Sequence, residues 1–503
     1  MKRKQLCFWL VLIMALLPGA ALRAKTLKVA SFVSDVPGIT SLAPTFDPDS
    51  STVFTQIFDS LVHIDLDGKR IPALATSWNL VDDTTYEFEL RKGVKFHNGE
   101  DFDADAVKYT YETIINPDMK MGCAWILNTI KEVEVIDPFR VMIRLKHPDG
   151  LFLYRLSMFG SIAPPKYIKE VGLDGFNKNP VGTGPFKFVA WNKGKDIVLA
   201  KNPNYWKEGV PVYDELVFKI LPQDKWVDGL ISGDLDLITD VPPKDIARVE
   251  ANSDLKTVHR LVLQSYWVLL KNQGPLADVR VRKALNYAIN KEELIKAQGG
   301  GYGAPMASLG MQREVGRNPD LTPYPYDVEK AKSLLAEAGY PNGFPLKAIS
   351  IAEAAPLNAA IREDLSKIGV NVEIETVTRP EWALKVVVGK MNGAPYKGDM
   401  AINLVDNPII DMAFHAGLFL DSSSPWAFLN DPAFDKKFEW ALLMASMDKH
   451  VPALQSLDQY IHDEALMLFT FQTERFFAMK KDVTIPNIGL NGHIDYGVFS
   501  EAK

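Results

Sequence analysis

The sequence predicts an α/β molecule of two lobes, with an additional α+β subdomain in the first lobe. Three observations predict it. The chain has 503 residues, more than one ordinary hydrophobic core accommodates. Strand-like periods dominate its first half, and helical periods alternating with strands take over beyond Asp278. Two runs, Val258–Leu270 and Leu466–Phe471, are placed to carry the chain out of one lobe and back again.

Composition narrows the class. Hydrophobic content of 47% and charged content of 24% are ordinary for a globular protein. The net charge is −7, and Lys and Arg are scattered, which argues against a nucleic-acid partner.

The N-terminus reads as a secretory signal over residues 1–24. Lys2-Arg3-Lys4 is the positive region and Leu6 to Leu17 the apolar one. Small residues follow up to Ala24, with Ala21 the other cleavage position. The apolar run is shorter than the ~20 residues a bilayer span needs. Cleavage leaves Cys123 as the one cysteine of the mature chain, read as a small buried side chain.

In chain order, Thr26 to Ser34 alternates as a first strand, and Thr45 to Pro48 is a turn. Val53, Ile57 and Leu61 place a short helix over Val53–Val62. Asp65-Leu66-Asp67-Gly68 resembles the start of a calcium loop but lacks the later acids, so it reads as a hairpin turn. Trp78 to Leu90 alternates as a half-exposed strand, Asp103 caps a helix from Ala104 to about Ile115, and Val133–Leu145 makes a β pair around Asp137-Pro138.

Residues 180–219 organise the first lobe. Gly182-Thr183-Gly184-Pro185 is a turn, and Phe186–Ala190 and Ile197–Lys201 flank Asn192-Lys193-Gly194-Lys195 as a hairpin. Asn202-Pro203-Asn204-Tyr205-Trp206 is a second turn, and Leu216–Ile220 another strand. Further on, Asp278 and Asp327 cap helices, the second closed by Gly339 and Pro341. Gln298–Gly303 is a Gly-rich mobile loop without the setting of a phosphate loop. Leu346–Ala352, Pro356–Ile368 and Val370–Ile374 form a β-α-β unit, which requires a parallel pair. A helix over Glu381–Val388, a buried strand Met400–Val405 and helices near 431–446 and 448–464 complete the second lobe.

Three stretches carry a family resemblance. They are 180–219, Leu90–Gly99 continued by Phe102–Val107, and Asp278–Ile289. Together they resemble the bacterial extracellular solute-binding proteins that serve peptide, opine and nickel ABC transporters. The resemblance covers nearly the whole mature chain. It implies a periplasmic-binding-protein fold, an exported, periplasmic protein, a small-molecule or peptide ligand held between the lobes, and an ABC permease as membrane partner. The expected boundaries are lobe I at 25–262 with its inserted subdomain at about 50–180, lobe II at 263–470, and a return to lobe I at 471–503. A monomer without cofactor or catalytic residues is expected.

Open α/β sheets bind ligands beyond the carboxyl ends of their parallel strands. Met400–Val405 is the best buried strand, so Asp406 and Asn407 after it point to the cleft edge. In the peptide-binding relatives an Asp at the matching place pairs with the peptide α-ammonium, and the resemblance carries that role to Asp406. Those relatives often have a Trp three residues earlier, where this chain has Asn403. Tyr266 and Trp267 match a place where the family sets aromatics against the ligand, and Trp426 is a further candidate in a Ser-rich loop. Asp411 reads as a helix cap. His415 raises a metal reading, because nickel binders of the family use a His. The eight His residues are scattered without His-x-x-x-His, so no metal site is assigned. The alternative function is a secreted hydrolase of small peptides or glycoconjugates. It would need a Gly-x-Ser-x-Gly or His-Glu-x-x-His motif, and neither occurs, while no carboxylate pair stands out.

Overall fold

The computed structural model describes residues 25–31, 40–42, 48–119, 121, 124–483 and 486–499. The signal segment 1–24, Phe32–Ser34 of the first strand, the Thr45–Asp47 part of the turn and Cys123 lie outside the described residues.

One twelve-stranded sheet runs through the molecule. Its order is Asn371–Val377, Pro345–Ile351, Met400–Asp406, Leu255–Leu270, Phe471–Lys480, Leu237–Ile238, Thr26–Ser31, Glu215–Ile220, Asp196–Lys201 and Phe186–Asn192. Gly303–Pro305 and Met467–Leu468 pair at its side. Each end has a parallel core. Thr26–Ser31 is parallel to Glu215–Ile220 and to Leu237–Ile238. Pro345–Ile351 is parallel to Asn371–Val377 and to Met400–Asp406. The crossover helix Ala355–Ser366 buries Leu357, Ile361 and Leu365.

The two cores meet at the antiparallel pair Leu255–Leu270 and Phe471–Lys480. Leu255 to Leu261 pairs with Lys480 to Glu474, and Gln264 to Leu270 pairs with Asp406 to Met400. The partner changes across a register shift between Leu261 and Ser265. Within that shift the Leu263 N–H donates to the Leu490 carbonyl at 2.6 Å, and the Leu263 carbonyl accepts the Asn407 N–H at 2.7 Å. The return therefore crosses on Phe471–Lys480, just after the expected Leu466–Phe471. The alternation of Leu466–Phe471 is broken by the irregular step between Leu468 and Phe471. Ile494–Phe499 closes the chain against helix Pro48–Ile57, where the Gln56 amide donates to Ile494 O at 3.1 Å and accepts from Tyr496 N at 3.0 Å.

The inserted α+β subdomain is a four-stranded antiparallel sheet, Ala75–Asp82, Thr85–Leu90, Arg140–Leu145 and Ile130–Asp137 in spatial order. Asp103 caps Ala104–Ile115, accepting the Ala106 N–H at 3.1 Å. Phe88, Val141, Ile143, Val107 and Tyr111 are fully buried between helix and sheet, each worth about 1.5–3 kcal/mol of transfer free energy. The run Trp78–Leu90 is a hairpin rather than one strand. Asp82 turns it by accepting from the Thr84 N–H and hydroxyl at 2.8 and 2.9 Å.

Two other expectations are corrected. The helix over Val53–Val62 is Pro48–Ile57. It stops because Gly184 N–H donates to the Ile57 carbonyl at 2.9 Å, and Leu61 O is taken by Ala73 and Ala75 N–H in an extended stretch. The Gly-rich Gln298–Gly303 segment is packed, not free. A Cβ on Gly300 would lie 2.4 Å from Pro243 Cβ, and Gly303 pairs with Thr473. The Asp65–Gly68 stretch is a hairpin turn, with Asp65 Oδ1 accepting from Asp67 and Lys69 N–H at 2.9 Å. Asp278, Asp327 and Asp411 all cap helices, accepting from Arg280, Lys330 and Ala413 N–H.

Candidate functional site

The pleat sorts the candidates. Side chains on adjacent strand residues point to opposite faces. Gln264 pairs with Asp406 and Tyr266 with Leu404, so these four share one face. Trp267 pairs with Asn403 and Ser265 with Val405 on the other. Tyr266 and Trp267, neighbours in sequence, therefore cannot line the same wall. Met400, Ala401 and Ile402 are buried, whereas Asn403, Leu404, Val405 and Asp406 are partly exposed. The strand opens to solvent at its carboxyl end, where the two lobes meet.

Asp406 is held there by a converging set of polar groups. Gln264 Nε2 donates to its Oδ1 at 2.8 Å, and Arg475 Nη2 from the returning strand does so at 3.3 Å. Thr473 fixes Gln264 by donating its hydroxyl to Oε1 at 2.8 Å. The Asp406 side chain keeps 23% exposure. Burial raises its carboxyl above the usual 3.8, with Arg475, Gln264 and Arg379 opposing that rise. Arg379 is anchored to Glu353 at 3.1 Å and to the Leu404 carbonyl at 3.2 Å. On the same face the Tyr266 hydroxyl accepts from Gln298 Nε2 at 2.7 Å.

Trp267, Trp426 and Asn403 belong to the opposite face. Trp267 is buried against His415 and Phe419, with ring centroids 4.9 and 5.9 Å away, and Trp426 joins through Phe419 and Trp382. Asn403 Oδ1 accepts the Leu404 N–H at 2.9 Å. His415 Nε2 donates to the Asp406 carbonyl at 3.1 Å, and burial lowers its imidazole to about 3, so it is neutral. Asn407 is fully buried. Its amide donates to Glu314 and, at 2.8 Å, to the Asp411 carbonyl, bracing the turn after Asp406. Thus Asp406 and Tyr266 share a wall, the tryptophans and Asn403 line the reverse side, and Asn407 supports from beneath.

Sequence reasoning missed Gln264, Arg379, Arg475 and Asp240. Arg475 stands out in retrospect as the last charge before the apolar run Phe476–Met479 of its strand. Asp240 follows strand Leu237–Ile238 as Asp406 ends its own. Among the described residues no group of three His, Cys, Asp or Glu is arranged to hold a metal, and no helix is long and apolar enough to cross a membrane.

Two lobes with parallel cores, joined by a crossing pair and carrying converging charges at the join, define a substrate-binding protein of the ABC-importer kind. The fold matches DppA, an ABC transporter-associated periplasmic binding protein from Helicobacter pylori solved with the peptide STSA. The TM-score is 0.76 at 25% identity, over 95% of this chain and 98% of that one. It also matches the substrate-binding protein CtaP of Listeria monocytogenes, with a TM-score of 0.82 at 22% identity over 94% and 99% of the two chains. In sequence the chain is 33% identical over 351 residues to the glutathione-binding protein GsiB of Pectobacterium atrosepticum, 68% of this chain and 67% of that protein. The chain belongs to the bacterial extracellular solute-binding proteins, family 5, whose middle region matches residues 69–435. These relatives are binding proteins, not enzymes, and the family is extracellular or periplasmic.

Proposed function

We propose that this chain is the exported, monomeric receptor of an ABC importer. It takes a peptide-like, amine-bearing solute at Asp406 and hands it to the membrane permease. The observation that carries the reading is the Asp406 carboxylate itself, at the carboxyl end of a strand in a parallel pair, half-buried where the lobes join. A desolvated carboxylate is stabilised by a cation or several donors. The peptide of the DppA complex and the glutathione of GsiB both carry an α-ammonium, and they support this class of solute. Leu261–Ser265, where the crossing strand changes partner, is the natural hinge. Closure follows from the solute binding the closed form better than the open one. A micromolar affinity, about −8 kcal/mol, lies within reach of one buried charge pair and aromatic packing.

The test is calorimetric titration of the purified mature protein with glutathione and Ser-Thr-Ser-Ala, with the compounds recovered and weighed afterwards. Stoichiometric binding with unchanged compounds is expected. Conversion of a compound to product would overturn the reading in favour of a hydrolase, and absence of binding across a wider peptide panel would remove it.

A further inference from the structure

Asp240 occupies in the first lobe the place Asp406 holds in the second. It follows Leu237–Ile238, which lies parallel to Thr26–Ser31 and antiparallel to the returning strand, Ile238 facing Ala478. The next residue is tied to that strand, since the Val241 N–H donates to the Phe476 carbonyl at 2.9 Å. Each lobe thus sets one acid at the carboxyl edge of a strand that has a parallel neighbour, and Arg475, beside the Phe476 that holds Val241, is close enough to act on both. The guanidinium bonds Asp406 at 3.3 Å and acts electrostatically on Asp240, which also feels the Asp406 charge.

The charge balance of this floor is uneven. Asp240 has one direct polar partner, Gln223 Nε2 at 3.0 Å, and no ion-pair partner among the described residues. Burial raises its carboxyl, as it does that of Asp406. Two half-buried acids therefore lie near one guanidinium that bonds only Asp406. Arg379 is matched by Glu353. His493, which faces Arg475, is held neutral by burial, its imidazole lowered to about 4, and cannot supply the missing charge.

We propose that Asp240 and Asp406 form a two-jawed clamp, one acid per lobe, that closes on a single aliphatic ammonium of the solute. This rests on the reading of the cleft as the site of an amine-bearing solute and adds a second acid, from the other lobe, that holds the same ammonium. An ammonium offers three N–H donors, enough for both carboxylates and one further acceptor such as the Tyr266 hydroxyl. It supplies the positive charge that two half-buried carboxylates near one guanidinium lack. Because the jaws sit on different lobes, the same contact that binds the solute favours the closed form.

The experiment is calorimetry of the mature protein with glutathione and Ser-Thr-Ser-Ala, each beside its N-acetyl form, on the wild type and on Asp240→Asn, Asp240→Glu and Asp406→Asn. On the wild type the free amines should bind at least about tenfold more tightly than the acetylated forms. Asp240→Asn should remove most of that selectivity, weakening the amines about tenfold or more and sparing the acetylated forms. Asp240→Glu keeps the charge and should retain part of the selectivity. The wild-type comparison stands even if a variant fails to fold. Equal affinity for free and acetylated compounds would overturn the clamp and the amine contact at Asp406, while leaving the reading of the chain as an importer's receptor intact. So would an Asp240→Asn protein that binds amines unchanged while Asp406→Asn weakens them. Failure of every free and acetylated compound to bind would sink both.

Discussion

Trp206 and Asp59 are joined by a hydrogen bond across 147 positions, the indole N–H donating to Oδ2 at 3.0 Å. The Thr183 hydroxyl donates to the same oxygen at 2.9 Å, and the Tyr205 hydroxyl reaches Oδ1 at 3.0 Å. Both breaker-rich turns of the 180–219 stretch thus converge on one acid that is 1% exposed. Replacing Asp59 by Ala strands one buried and two half-buried donors and should lower stability by about 3 kcal/mol. Chemical denaturation of the purified variant measures it; a loss under about 1 kcal/mol would mean the turns are held by packing instead.

The Gly182-Thr183-Gly184 turn has no room for a side chain at either glycine. A Cβ on Gly182 would lie 2.1 Å from the Ile57 carbonyl oxygen, and one on Gly184 would lie 2.7 Å from Gln56 O. Both neighbours are backbone and cannot rotate away. Gly182→Ala and Gly184→Ala should each cost about 1–3 kcal/mol or abolish soluble expression. Melting curves of the two variants decide it, and wild-type stability would show that helix Pro48–Ile57 shifts freely.

Two histidines, His450 buried and His97 half-buried, give opposite pH dependences. His450 faces acceptors with both nitrogens, Asp411 Oδ2 and Ala441 O, each at 3.0 Å, and these partners together with Asp149 hold it above 6.5 despite burial. Its stabilisation is complete below about pH 6.5 and fades as pH rises through the raised value. His97 is the reverse. Its Nδ1 accepts the Gly182 N–H at 3.3 Å and its Nε2 donates to Gly184 O at 3.0 Å, so the ring is neutral, lowered to about 4 chiefly by burial. Its stabilisation is lost as pH falls from about 6.5 toward about 4. The destabilisation caused by His450→Gln should therefore be larger near about pH 5.5 than near about pH 8.5, and that caused by His97→Gln larger at the higher of the two. Denaturant titrations at both pH values check the crossed signs.

How much of this was legible follows from range. The Asp103, Asp278 and Asp327 caps and the Asn192–Lys195 hairpin depend on residues within a turn of one another, and sequence spacing found them. The end of helix Pro48–Ile57 depends on Gly184, far along the chain, and was overrun. The hairpin at Asp82 was missed because its turn uses an Asp side chain in place of Gly or Pro. In the site, the topological rule located Asp406 but not the face its neighbours share. The pairing of Gln264 with Asp406 decides that, and it puts Trp267 and Asn403 behind the wall. Asp240 obeyed the same rule in the other lobe, where Leu237–Ile238 is too short to read as a sheet strand from sequence alone.

On the proposed reading, the cleft acids also make binding sensitive to acid. Burial raises the Asp406 and Asp240 carboxyls, so each takes up a proton at a higher pH than a free carboxyl, and protonation removes the charge an ammonium needs. Affinity for glutathione or Ser-Thr-Ser-Ala should fall on acidification before the ordinary carboxylate range near 3.8 is reached. The empty protein should behave oppositely at these two groups. Its folded form binds protons more readily there than the unfolded chain, so their contribution to stability grows as pH falls through the raised values. Calorimetry and melting across the same buffers separate the two. At neutral pH Asp406→Asn should weaken amine binding by about 2–5 kcal/mol.

Small-angle scattering of the mature protein, with and without a compound shown to bind, tests closure most directly. The radius of gyration should fall on saturation with glutathione or Ser-Thr-Ser-Ala, and Asp406→Asn should need far more compound to reach the same compact profile. Saturable binding with a scattering profile identical to that of the empty protein would contradict a solute trapped between two closing lobes.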